Sequence, residues 1–288
     1  MAPTSERKYR LHDREAAAEG VRRVARGQLD LATEALEDGS AQNRDEAVHE
    51  ARKALKRLRA LVRVARDELG DDVYRRENVA FRDAGRKLAG SRDAAVVIQT
   101  LDGLAEPGAF GGLREAFTRE AAQNGSPRDD EAIADIRAAR ARIAGWPLSP
   151  DAGHDALARG LERVYRRGRR ALRAARDEPT DENFHELRKR AKDLWHAAQV
   201  LRPGDPKRLR KLSKRAHALS DAAGDDHDLA VLVAAAHEHA DALAPGELWL
   251  LERRVADRRA DLQRTALAVG SRVYARKPRK LARRLATA

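Results

Sequence analysis

Between His49 and Arg66 a cation recurs every three or four residues: His49, Arg52, Lys56, Arg59, Arg63 and Arg66. On a helix turning about 100° per residue these side chains share one sector about 100° wide, and no Asp or Glu between His49 and Arg66 enters it. Like charges three and four apart repel, so a solvated helix face ordinarily mixes both signs. A row of unopposed cations is what a polyanion needs, and at about 1.5 Å per residue His49 to Arg63 makes a track about 20 Å long. Ala51, Leu55, Leu58, Val62, Ala65 and Leu69 fill the adjoining sector and predict a buried stripe. Glu46, Glu50 and Glu68 fall on the far side with Lys53 and Arg57, where solvent-exposed pairing is expected.

A second, weaker row occurs in FHELRKRAKDLW. His185, Arg188 and Lys192 share the sector, and Lys189 is offset toward solvent. Asp193 stands at the position of Arg57, and Trp195 at that of Arg59. The next helix, PKRLRKLSKRAHALS, adds Lys207, Lys211, Lys214 and Arg215, read as one basic sector beside Leu209, Leu212, Ala216 and Leu219. Its counterpart in the first half aligns Arg75, Arg82 and Arg86. Only 11 of the 58 basic residues are Lys, yet seven of those lie in these helices, which favours a shared use for them. His49 and His185 either donate to the anion, more strongly below about pH 6.5, or pack near their helix starts. Asp93 and Asp228 come after glycines at expected helix starts, where a carboxylate accepts backbone N–H groups or holds a basic neighbour, so both are read as structural.

Catalytic and metal chemistry find little support. His237 and His239 point about 200° apart on a helix, and no HExxH motif occurs, so no metal or other cofactor is expected. His-Asp dipeptides at 12–13, 154–155 and 227–228 suggest a helical phosphohydrolase, but the basic rows hold no carboxylates for a divalent ion. The expectation is a binding protein, not an enzyme.

The elements that must position these rows are helices. Ala, Leu and Arg dominate the 288 residues, and charged residues make up 36% of them. Helices are predicted near 12–37, 44–69, 72–89, 91–104, 112–123, 130–144, 154–177, 181–201, 205–223, 226–243 and 246–276, separated by turn signals such as GSAQN, EPGAFGG and AAGDD. The halves repeat: GVRRVAR at 20–26 returns as GLERVYR at 160–166, VHEARKALK at 48–56 as FHELRKRAK at 184–192, and AGSRDAAVV at 89–97 as AGDDHDLAVL at 223–232. The fold expected is all-α, two pseudo-symmetric up-and-down four-helix bundles side by side. It forms one domain over 10–276, from repeats 10–144 and 151–276, with 277–288 as an unstructured basic tail.

Net charge is +12, which asks for an acidic partner. Eleven aromatics scattered through the chain make a poor stacking platform for bases, so a polyanion without bases is favoured over nucleic acid, which remains the alternative. The N-terminus shows neither a secretory signal nor a membrane span, and a cytoplasmic protein is expected.

VHEARKALKRLRALV with AGSRDAAVV, then FHELRKRAKDLW with AGDDHDLAVL, resembles the CHAD family, named for conserved histidines in an α-helical domain. The resemblance covers roughly 10–275. It implies paired four-helix bundles whose basic faces line a groove or pore for inorganic polyphosphate, no catalysis, and for some members association with polyphosphate granules. His49, Arg52, Lys56, Arg57 and Arg59 match the first motif, and Arg92 and Asp93 the first helix-start motif. His185, Arg188 and Lys192 match the second motif, and Gly224 and Asp228 the second helix-start motif. The chain departs from the pattern at Trp195, usually Arg, at His196, often Tyr, and at Ala223, usually Leu.

Overall fold

The computed structural model describes residues 8–12, 15–39, 43–88, 91–104, 109–123, 129–150 and 154–282, with only the backbone of 91–94, 122, 123, 154, 155 and 282. Among them are eleven α-helices and no strand: α1 Ala17–Asp38, α2 Arg44–Val64, α3 Arg66–Lys87, α4 Ser91–Leu104, α5 Gly111–Gln123, α6 Asp129–Arg142, α7 His154–Asp177, α8 Asp181–Val200, α9 Pro206–Glu238, α10 Glu247–Val273 and α11 Pro278–Ala282. No described helix is long and apolar enough to cross a membrane.

Local chemistry sets several boundaries. Thr180 caps α8 by accepting from Asn183 N at 3.2 Å. Asp205 caps α9 by accepting from Arg208 N, ahead of Pro206 in the first turn. The helix expected over 44–69 ends at Ala65, and Gly70, at φ 73°, puts a kink into α3 in a backbone region closed to most other residues. The break expected at AAGDD is absent. The helices predicted at 205–223 and 226–243 are the single α9, with Gly224 buried inside it. A Cβ at Gly224 would lie 3.4 Å from Arg188 Nε, so this glycine serves close side-chain approach rather than a turn.

Helices α1, α2, α3 and α6 touch one another in a ring, and so do α7, α8, α9 and α10. Their apolar faces form one continuous core across both halves, from Leu29, Leu58 and Phe81 to Leu161, Phe184 and Leu219. A second cluster, anchored by Leu101, Phe110, Leu113, Leu232 and Leu251, joins α4 and α5 to the distal part of α9 and the proximal part of α10. That division was not anticipated. Nor was α11, which packs on α7 and sets Leu281 against the main core where an unstructured tail was expected; 283–288 lie outside the described residues.

The join between the halves runs through α2, which contacts α1 and α3 on one side and α7 and α8 on the other. Leu55, Leu58 and Val62 fill the first interface, while Ala60 and Val64, on the side expected to face solvent, are 2% and 1% exposed. A Cβ at Gly160 of α7 would stand 1.9 Å from the Val64 carbonyl oxygen, so the two backbones meet there with no room for a side chain. The basic sector of α2 lies between these two buried faces, which directs it toward the seam with α8.

Candidate polyanion-binding site

At this seam α2 and α8 bring together cations from both halves. Lys192 is half-buried, and its amine is pushed down to about 8, first by burial and then by the guanidinium of Arg188 and the amine of Lys56. Arg188 is held from the other side by Asp228 at 3.6 Å, yet its Nε is buried without a hydrogen-bond partner. A second knot adjoins it on α2. The pKa of Arg59 is lowered by burial and by the charges of Arg63 and Arg82, and its Nε donates to Asn78 Oδ1 at 3.4 Å. Arg52 Nη1 donates to the Leu88 carbonyl at 3.0 Å, spanning from α2 to the end of α3. Cations are thus crowded and partly desolvated around α2 and α8, an arrangement that costs stability.

The track is not wholly unopposed. Arg63 Nη1 donates to Asp193 Oδ1 at 2.8 Å, and Arg190 binds the other oxygen at 3.0 Å. Asp193, out of view in the sequence of α2 alone, ties Arg63 into an ion pair between the halves. Arg82 binds Asp83 through two contacts, Nε at 2.8 Å and Nη2 at 3.1 Å, and Arg86 lies 3.7 Å from the same carboxylate. Lys189 pairs with Glu186 at 3.0 Å on the exposed side of α8.

The basic residues Lys207, Lys211, Lys214 and Arg215 share one sector of α9 about 100° wide, and its far edge turns away from the seam. Lys211 and Arg215 line a cavity with Arg208, Arg272, Arg276 and Lys280, between α9, α10 and α11. They stand about 120° and 160° round the helix from His217, whose ring lies tilted against Trp195 beside the seam. Lys207 and Lys214 are exposed and make no ion pair among the described residues.

His185 does not face an acid: its Nδ1 lies 3.3 Å from His227 Nδ1, with ring centroids 4.3 Å apart. Burial lowers both pKa values, with His227 adding to the effect on His185 and Arg188 to that on His227. His49 is half-buried on α2 and engaged with its surroundings. Asp228 lies within α9, not at a helix start, and the backbone of Asp93 lies in the first turn of α4 with its side chain outside the described residues. Among the described residues no cluster of three His, Asp or Glu could hold a metal ion.

Sequence reasoning overlooked three parts of this region. His227 was visible only as a His-Asp dipeptide. The contact of Trp195 with His217, tilted at 37° with 3.8 Å between centroids, was signalled by the aromatic where the first row has Arg59. Arg57 does not turn to solvent: Tyr9 Oη donates to its carbonyl at 2.9 Å, and its guanidinium lies 5.5 Å from the Tyr9 ring centroid. Ala60 and Val64, small and apolar opposite the main stripe, were the signal for that second buried face.

No curated protein matches the chain. A model of the CHAD domain matches residues 23–237, which takes in both basic helices, the seam between them and most of α9. The chain belongs to the CHAD domain family.

Proposed function

We propose that the protein binds inorganic polyphosphate at the seam between α2 and α8 and performs no reaction on it. The observation that carries this reading is Lys192, a half-buried amine set beside Arg188 and Lys56 with its proton weakened to about 8. A phosphate chain relieves that repulsion because each unit brings negative charge and acceptor oxygens at a spacing of a few ångströms. Arg52, Arg59 and Arg188 supply guanidinium forks for phosphate oxygens, and Lys56 and Lys192 supply movable point charges. Lys207 and Lys214 extend the positive field over the exposed face of α9. Asp193 and Asp228, the carboxylates paired with seam arginines, position cations by those pairings, which supports a holding role rather than a catalytic one.

We read the two rings of helices as two pseudo-symmetric bundles, the halves of the sequence repeat, whose junction offers the ligand one surface from each half. Membership of the CHAD domain family agrees with a polyphosphate-related role. Association with polyphosphate granules would follow from the same affinity.

The test is competition at about 150 mM salt between long-chain polyphosphate and duplex DNA at equal total phosphate. Polyphosphate should win, and its binding should weaken steeply as salt rises, because bound cations are released when the seam neutralises phosphates. Preference for DNA would transfer the assignment to a nucleic-acid-binding protein.

A further inference from the structure

On the other side of the Trp195 and His196 rings lies a second set of cations that the polyphosphate reading does not use. The repeat register of 136 residues pairs Arg57 with Asp193 and Arg63 with Gln199. Arg63 and Asp193 form the ion pair between the halves at 2.8 Å. Their counterparts, Gln199 and Arg57, line one cavity of about 250 Å³ that has no carboxylate in its lining, and Glu50 acts on the guanidinium only as a minor opposing charge.

Arg57 is correspondingly ill-satisfied. Its Nη1 reaches only the amide oxygen of Gln28, at 3.3 Å, its Nε is buried without a hydrogen-bond partner, and burial lowers its pKa. Arg10, Arg202 and Arg210 line the same cavity, and none of the three makes an ion pair among the described residues. An adjoining cavity of about 350 Å³ shares Arg10 and Arg202. His196 separates this region from the seam: it is 5% exposed, stacked on Trp195 at 4.5 Å and edge-on to Tyr9 at 6.1 Å. Its pKa, pushed down to about 3, falls mainly through burial and also through Arg57 on one side and Lys192 and Lys56 on the other.

We propose that the cavity of Arg10, Arg57, Arg202 and Arg210 is a separate binding site for a compact phosphoanhydride anion of two or three phosphates. The proposal stands independently of the seam. Four guanidiniums with no lining carboxylate exceed the charge of one orthophosphate, and their forks suit the several oxygens of a diphosphate or triphosphate. The anion takes the place of the carboxylate that Asp193 provides in the other half. Such a group is found either as a free small anion or as the end of a long chain.

The test is calorimetric titration of the full-length protein at about 150 mM salt with pyrophosphate, with tripolyphosphate and with a long chain. Pyrophosphate or tripolyphosphate should bind once per protein. Arg202→Ala with Arg210→Ala, both exposed positions, should weaken that binding at least about tenfold. Gln199→Glu restores a carboxylate partner for Arg57 and should suppress small-anion binding while raising the melting temperature, an outcome that general damage to the fold would not give. Lys56→Ala with Lys192→Ala should leave small-anion binding within about twofold while weakening the long chain. Long-chain affinity, normalised to chain ends, falls in the Arg202/Arg210 variant if ends are the natural occupant and stays constant if the free anion is. The proposal is overturned if neither small anion binds, if the Arg202/Arg210 variant or Gln199→Glu leaves their binding unchanged, or if the Lys56/Lys192 variant weakens them equally.

Discussion

Replacing Lys192 by Met should make the protein more stable and a poorer binder at once. Lowering the amine from 10.5 to about 8 means that holding it charged at pH 7 costs up to about 3 kcal/mol relative to the unfolded chain. Because the folded value lies below the unfolded one, that cost is fully present below pH 8 and disappears as pH rises toward 10.5. Lys192→Met removes the charge but keeps an apolar stem of similar length. A gain of about 1–3 kcal/mol at pH 7 is expected, or about 3–8 °C in melting temperature, shrinking steadily toward pH 10. In the same variant polyphosphate should bind about 10- to 100-fold more weakly, the worth of one charge-assisted contact. By linkage, wild-type protein should take up a proton when it binds polyphosphate near pH 8.5. Calorimetry in two buffers of different ionisation enthalpy measures that uptake, and thermal melts from pH 7 to 10 measure the stability difference. A variant that melts below wild type at pH 7, or wild-type binding at pH 8.5 without proton uptake, would refute the assignment of a strained charge.

Other perturbations separate scaffold from site. Arg63→Ala should cost about 1–2 kcal/mol in denaturant melts, less than a fully orphaned buried charge because Arg190 still holds Asp193, and should change polyphosphate affinity less than Lys56→Ala does. Gly160→Ala should cost about 3 kcal/mol or more, or prevent folding, since its Cβ would overlap the Val64 carbonyl; a neutral result in thermal melts would contradict the close α2–α7 contact. The His185–His227 pair should make ligand-free protein lose stability as pH falls below 6.5, because both imidazoles bind protons less readily folded than unfolded. His227→Asn should reduce that loss, measured as the slope of melting temperature between pH 7 and 5.

Much of this fold was legible because helical amphipathicity is a local property. The stripe of Leu55, Leu58 and Val62 and the row from Arg52 to Arg63 emerge from residue spacing alone. What escaped depends on partners far along the chain. Asp193 sits 130 residues from Arg63, so no pattern within α2 could show that this cation is neutralised. Gly224 looked like a helix break because glycine usually punctuates, but burial beside the Arg188 side chain overrides its weak helix propensity. The sector holding Arg57, Ala60 and Val64 looked solvent-facing because its charges outnumber its apolar residues. Only the crossing of α2 over α7 and α8 reveals a helix buried on two sides, with the cations caught between. On α9, single-helix geometry grouped four basic residues, but only the packing of α10 and α11 shows that Lys211 and Arg215, at the edge of that sector, line a cavity away from the seam.

The central claim is that crowded cations at the α2–α8 seam bind the polyphosphate, rather than the excess positive charge of the whole molecule. The direct measurement is equilibrium binding of long-chain polyphosphate, as a function of salt, to wild type, to Lys56→Ala with Lys192→Ala, and to Arg253→Ala with Arg264→Ala on the exposed face of α10. Both double variants remove two positive charges. The seam variant should lose about 100-fold or more in affinity and show a shallower salt dependence, with no more than a few-fold loss for the α10 variant. Equal losses in the two would contradict the central claim, because binding would then follow net charge alone.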